Sequence, residues 1–265
     1  IQNPTVCKRY SAICLAGIVV QPSPQWLIHR LSAIGIRSIN NVVDVSNYIL
    51  HETGQPIHVF DADAIQGNTV VVRNAEANSP FIALDGKERR LDVEDLMICN
   101  ATEAMAIAGV FGGQASGVTE GTKNIFIESA WFSPAHIRKT SIRYGLRTDA
   151  AMRFEKGVDI SKTVQVLNRA VSLMQEVAGG QVACDIIDEY PNPLVKKEIT
   201  LSFSYLKKIT GKAYSLDVVK GILQALGFDI VVENKDFISV TAPYSKPDVF
   251  LPADIVEEIM RIDGL

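Results

Sequence analysis

The chain has 265 residues, 47% hydrophobic and 21% charged, with a formal net charge of −4. That balance suits one large or two modest globular domains with a buried core, and it excludes a chain built throughout to coat nucleic acid. No uncharged run is long enough to span a membrane. The apolar stretch SAICLAGIVV at 11–20 runs straight into Gln21-Pro22-Ser23-Pro24, and no basic start precedes a cleavage-like site, which argues against a signal peptide.

In chain order, residues 1–20 read as a first strand. Ser23-Pro24-Gln25 opens a helix with a cap-like Ser; Trp26, Leu27 and Leu31 supply its buried face and Gly35 ends it. The next stretch, 35–61, crowds Arg37, Asn40, Asn41, Ser46, Asn47, His51, Gln55 and His58 around a short apolar segment, Val42-Val43 and Val45. Two readings are open. It is either a polar loop whose side chains satisfy its own turns, or one wall of a site that positions a small polar substrate.

Residues 69–73 (TVVVR) form a short strand. Asp85-Gly86 between FIAL and KERRLDV marks a hairpin, and 95–99 and 104–111 are further strands running into Gly112-Gly113. NIFIESAWF, 124–132, alternates as a strand with Glu128 on the face of Phe126 and Ala130; a carboxylate there needs a partner or a solvent face. Ser133-Pro134 starts a helix that ends at Gly145. Residues 161–178 show an amphipathic helix stopped by Gly179-Gly180, and the Pro- and charge-rich run at 188–197 is the linker. Beyond it the order strand, helix, helix, strand, turn, strand resembles a small winged helix-turn-helix. The fold class is therefore α+β, a mixed-sheet domain at 1–190 followed by a small helix-turn-helix-like domain at 196–265.

Charge is uneven along the chain. Residues 138–156 hold six cations against two acids, a local patch that suits a phosphate backbone, whereas the tail from 245 holds five acids against two cations. In that tail Asp254, Glu257 and Glu258 fall at i, i+3, i+4, a spacing that suits either Mg²⁺ or a helix N-terminus. Cys7, Cys14, Cys99 and Cys184 are scattered without zinc-site spacing and read as reduced thiols. The chain opens on Ile and closes on Asp-Gly-Leu directly after an apolar helical pattern, which reads as a piece of a longer protein.

Four stretches in order, NNVVDVSNYILHETGQPIHVFD, AGVFGGQASGV, IESAWFSPAHIRKTSIRYGLRTDAAMRFEKGVD and DIVEEIMRIDGL, resemble the β subunit of bacterial phenylalanyl-tRNA synthetase. The resemblance covers essentially the whole chain and corresponds to that family's editing module and the small module after it. It implies hydrolysis of the ester in tRNA(Phe) misacylated with tyrosine. The implied catalytic group is His58, Asn47, Ser46 and Arg37, with Ser46 standing where Thr is more usual. The implied substrate-binding group is Glu128, Gly112, Pro56, Thr148 and Ala150. The resemblance also implies Mg²⁺ on Asp248, Asp254, Glu257 and Glu258 near the contact with an α subunit, with Lys246 where Arg is common. Partners would be tRNA(Phe) and the α subunit of an α2β2 enzyme in the cytoplasm, with ATP used only by the full enzyme. The competing reading is a non-catalytic RNA- or DNA-binding or scaffold module centred on 196–241, whose seven Lys against five acids are weak for a groove reader.

Overall fold

Alternation in the first twenty residues is realised as one long strand, β1 (Cys7–Ile18), in the computed structural model, which describes residues 1–264. Helix α1 (Gln25–Ala33) follows, but Ser23 does not cap it. Pro24 occupies the cap position without a side-chain bond, and Ser23 Oγ donates instead to Asp44 Oδ2 at 2.5 Å. Leu27 and Leu31 are buried as expected, while Trp26 stays partly exposed and meets Tyr48 edge-on at 5.8 Å.

The polar stretch is a helix rather than a loop, α2 (Asn41–Thr53). Asn40 caps it, accepting from the backbone N–H of Val42 and Val43. Asn41 is fully buried; its Oδ1 accepts from Gln21 N at 3.0 Å and its Nδ2 donates to Val19 O at 2.9 Å and Val177 O at 3.2 Å. Asp44, also fully buried, accepts from Ser23, Ser38 and the backbone of Ile39. These three side chains satisfy backbone and loop groups, as the first of the two readings required. Val42, Val45 and Ile49 form the helix's buried face.

β2 (Ile57–Asp61) comes next. The following strands are short: β3 (Val71–Asn74), β4 (Pro80–Ile82), β5 (Glu88–Arg90), β6 (Leu96–Cys99), β7 (Ala104–Ile107) and β8 (Phe111–Gly112). β4 and β5 are the expected hairpin. The strand expected over 104–111 is split into β7 and β8 by a turn at Gly109, whose φ of +66 belongs to the left-handed region. β9 (Asn124–Phe132), α3 (Pro134–Tyr144), α4 (Asp149–Phe154) and α5 (Thr163–Ala178) follow, and then two strands the sequence did not announce, β10 (Gly179–Val182) and β11 (Ile187–Glu189).

The larger sheet runs β10-β1-β9-β2, with β11 also pairing on β1; the smaller runs β3-β6-β7-β8. Pairings among the described residues are antiparallel, and the α+β class holds. Because successive side chains alternate across a strand, the larger sheet separates two cores. On one face Leu15, Val59, Ile125 and Ile127 pack with Leu27, Val45, Leu167 and Met174. On the other, Phe60, Phe126, Ala130 and Phe132 pack with Ile98 and Ile107 of the smaller sheet and with Ile137 and Phe154. Glu128 shares this second face with Phe126 and Ala130.

The chain divides into two units, one of Ile1–Pro193 and one from Leu194 on. The second holds β12 (Glu198–Ser202), α6 (Phe203–Thr210), α7 (Leu216–Ala225), β13 (Asp229–Glu233), β14 (Phe237–Thr241) and α8 (Pro252–Asp263). Its sheet order is β12-β14-β13, and its core gathers Leu201, Leu206, Leu223, Ile238 and Ile259. Ser202 and Ser215 cap the two helices by accepting from Tyr205 and Val218 N–H. No helix among the described residues is long and apolar enough to cross a membrane.

Asn41→Ala strands one N–H and two carbonyls where β1, α2 and α5 meet. At about 1–3 kcal/mol for a buried group left unpaired, we expect a loss of roughly 2–3 kcal/mol, read as a lower urea midpoint with unchanged slope. A midpoint equal to that of the parent chain contradicts this role.

Candidate functional site

Residue 58 of β2 stands directly across from residue 128 of β9, so His58 and Glu128 emerge side by side from the same face of the larger sheet. Above them a cavity of about 330 Å³ opens between this floor, helix α2, the β7–β8 turn and the start of α4. Ser46 and Asn47 reach it from α2 and Pro56 from the approach to β2. Gly112, Thr148 and Ala150 close the far side, with Leu84, Phe111 and Phe154 adding apolar wall.

Glu128 is 4% exposed. The neighbouring strand answers it: Tyr10 Oη donates to Glu128 Oε2 at 3.0 Å. Burial outweighs this bond and pushes the carboxyl up to about 8, so Glu128 is mostly protonated at neutral pH. Burial beside Glu128 also raises the Tyr10 hydroxyl, which stays a donor. Oε1 of Glu128 has no hydrogen bond among the described residues. Burial lowers His58 to about 4, so its ring is a neutral imidazole, packed edge-on against Phe60 at 4.4 Å. The floor of the cavity is polar and uncharged.

The double glycine serves close packing. A Cβ on Gly112 would lie 2.9 Å from His58 Cε1 and 2.8 Å from Leu84 Cδ1, so only glycine lets the imidazole sit where it does. The N–H of Gly113 is committed to Met105 O at 2.8 Å, and Gly112 O accepts from Leu84 N at 3.0 Å. Thr148 caps α4, accepting from Ala151 N at 3.1 Å and donating to Val110 O at 2.9 Å, which ties the helix to the β7–β8 turn. Ser46 Oγ is spent on Val43 O at 2.7 Å. Asn47 has no side-chain hydrogen bond among the described residues, so its amide is available to a ligand.

The cavity thus brings together Ser46, Asn47, Pro56, His58, Gly112, Glu128, Thr148 and Ala150. Arg37 is not among them. It lies exposed in the loop between α1 and α2, which Asp44 fastens from within. Two residues that bear on the site were missed. Tyr10 was a readable signal, a hydroxyl alternating with Ala12 on one face of β1 that has to find a partner when buried. Asp149 stands between Thr148 and Ala150, and the resemblance implied a substrate role only for these two neighbours.

The acidic tail does not converge on a metal. Among the described residues no group of three or more His, Cys, Asp or Glu side chains is placed to hold one. Asp254 Oδ2 accepts from the N–H of Phe250 and Leu251, which makes it a cap of α8. Glu258 turns inward and is neutralised by Lys246 at 2.5 Å and Arg261 at 3.0 Å, while Asp248 and Glu257 face solvent. Helical spacing put the acids near one another, but cations and backbone donors answer two of them separately. The basic stretch is likewise partly spent: Arg143 pairs with Asp95 at 2.6 Å, Lys139 with Glu94, and Arg147 with Glu155 at 3.1 Å.

The B3/4 domain family matches residues 6–179, and the tRNA synthetase B5 domain family matches 199–265. Phenylalanine–tRNA ligase beta subunits are similar along the whole chain. Those of Porphyromonas gingivalis and Carboxydothermus hydrogenoformans are both 45% identical over 265 residues, and that of Bacteroides fragilis is 41% identical over 264. The chain belongs to the phenylalanine–tRNA ligase beta-subunit family. It covers 100% of itself but only 32–33% of these relatives, so it spans about a third of their length. A solved N-terminal fragment of the phenylalanyl-tRNA synthetase beta subunit from Pyrococcus horikoshii is 15% identical with a TM-score of 0.45, covering 100% of this chain and 73% of that one.

The buried acid makes stability depend on pH in a definite direction. Glu128 is protonated up to about 8 when folded but ionises near 4.5 when unfolded. Its contribution is therefore complete below about 4.5 and is lost as pH rises through the window to about 8. Glu128→Gln removes that dependence, so the stability of the variant relative to the parent should rise between pH 5 and 8 and level off above it. A difference that stays flat from pH 5 to 9 in chemical denaturation contradicts a buried neutral Glu128.

Proposed function

We propose that the cavity hydrolyses the ester of tyrosyl-tRNA(Phe), the post-transfer editing step of phenylalanine–tRNA ligase. The observation that carries this reading is Glu128: one carboxyl oxygen is held by Tyr10, and the other has no hydrogen bond among the described residues, at the floor of a cavity of about 330 Å³. A synthetic pocket shaped for phenylalanine rejects an added hydroxyl only about a hundredfold, so a second site that requires the hydroxyl is useful. Glu128 supplies that requirement. Protonated, Oε1 donates to the tyrosine oxygen; ionised, it accepts the tyrosine proton. A phenylalanine ring leaves it unmatched in either state.

The chemistry asked of the protein is modest. Water attacks the activated ester carbonyl, the bond to the ribose oxygen breaks, and tyrosine and tRNA(Phe) leave. A histidine near 4 is a weak base at neutral pH, which favours His58 as the residue that holds the water. The free Asn47 amide can donate to the carbonyl oxygen as charge builds on it. In this reading tyrosyl-tRNA(Phe) is the substrate, tRNA(Phe) is the partner that carries it, and the remainder of the ligase, with an α subunit and ATP, performs aminoacylation in the cytoplasm. No step runs through Mg²⁺.

The test is deacylation of tyrosyl-tRNA(Phe) by the assembled ligase carrying this segment. Losing a hydrogen bond from a buried partner costs about 1–3 kcal/mol, so Glu128→Ala should lower kcat/KM roughly 5- to 150-fold. Glu128→Gln, which keeps a neutral donor and acceptor, should remain within about fivefold of the parent on the same scale. Unchanged hydrolysis in Glu128→Ala would remove Glu128 from recognition and this reading with it.

A further inference from the structure

An aminoacyl ester carries a primary ammonium beside its carbonyl. A site that holds the ester can recognise this cation with an anion at its mouth, where a partly solvated charge pair adds modest affinity. Two of the residues lining the cavity carry carboxyl groups, Glu128 and Asp149, and none is Lys or Arg. Glu128 lies on the strand floor with one oxygen bound to Tyr10. If it reads the ring hydroxyl, it cannot reach the ammonium, which is at the opposite end of tyrosine.

Asp149 stands on another wall, as the first residue of α4, between Thr148 and Ala150. Its backbone is fixed by the Thr148 cap and by the bond from Thr148 to Val110 O. Its side chain is 54% exposed and takes no hydrogen bond among the described residues; the nearest cationic candidate, His51 Nε2, is 3.9 Å away, beyond hydrogen-bond distance. His51 belongs to α2, beside Leu50 and four residues from Asn47, both of which line the cavity. The carboxylate therefore stands at the rim, facing the helix that carries the ester-binding amide.

We propose that Asp149 binds the α-ammonium of the aminoacyl group, so that the site selects esters bearing a free amine over acyl esters without one. This rests on the editing reading of the cavity. An acid in the first turn of a helix also faces the macrodipole, but that role concerns stability and is blind to the substrate's amine.

The experiment compares tyrosyl-tRNA(Phe) with 3-(4-hydroxyphenyl)propionyl-tRNA(Phe), the same ester without its amine, in the assembled ligase with and without Asp149→Asn. The variant-to-parent ratio for each substrate cancels the intrinsic difference in ester reactivity. The expected result is a loss of about two- to fivefold in kcat/KM for the tyrosyl ester, chiefly in KM, with the desamino ester unchanged. Equal losses on both substrates, or no loss on either, overturn the proposal while leaving the editing reading intact. Failure of the parent enzyme to hydrolyse the tyrosyl ester overturns both.

Discussion

A carboxyl group buried at the centre of a sheet is the constraint on which the rest of this structure depends. Glu128 sits on β9 with β1 on one side and β2 on the other, so both neighbours have to accommodate it. β1 does so with the Tyr10 hydroxyl. β2 does so with His58, which its own burial keeps neutral. Neither neighbour supplies a cation, and the acid remains protonated rather than ion-paired. The result is a polar, uncharged floor in an apolar face, a surface suited to recognising a hydroxyl.

The surrounding elements keep that floor open on one side. The smaller sheet, through Ile98 and Ile107, and α3 close over Phe126 and Phe132, while at Gly112 the backbone passes close to the His58 ring. α2 and α4 then flank the opening. Each is held by its own polar fastening: Asn40, Asn41 and Asp44 for α2, and Thr148 for α4. These bonds use residues other than Asn47, His58 and Asp149, whose side chains make no hydrogen bond among the described residues. Positioning and chemistry are divided between neighbouring residues of the same short segments.

Much of this was legible before the fold was known. The alternation in NIFIESAWF placed Glu128 on the side of Phe126 and Ala130, and Ser133-Pro134 to Gly145 marked a helix at both ends. What escaped has physical reasons. The stretch at 41–53 concealed a helix because its polar residues serve caps and loops outside it, which sequence periodicity does not show. The strand expected over 104–111 broke because a left-handed turn at Gly109 is decided by packing against Phe132, Ile137 and Phe154. β10 and β11 are short, exposed edge strands with little apolar pattern to read. The acids of α8 obeyed helical spacing, yet Lys246, reached through tertiary contact, took Glu258 from the group. Arg37 belonged to the polar stretch by sequence, but its loop leaves it in solvent, away from the cavity that Ser46, Asn47 and His58 of the stretch line.

In the proposed editing reading, Glu128, Asn47 and Asp149 stand on three different elements, β9, α2 and α4. Each end of a tyrosyl ester would then be read by a group whose position is set independently, so a change at one end should leave recognition at the other intact. All of this presupposes a neutral, buried Glu128 that a tyrosine ring can reach. The direct measurement is a carbon-13 NMR titration of glutamate-labelled protein, following the Glu128 carboxyl with tyrosinamide or phenylalaninamide present. The expected result is a midpoint raised to about 8 and a resonance that moves with tyrosinamide and not with phenylalaninamide. A midpoint near 4.5, or equal response to the two ligands, would contradict it.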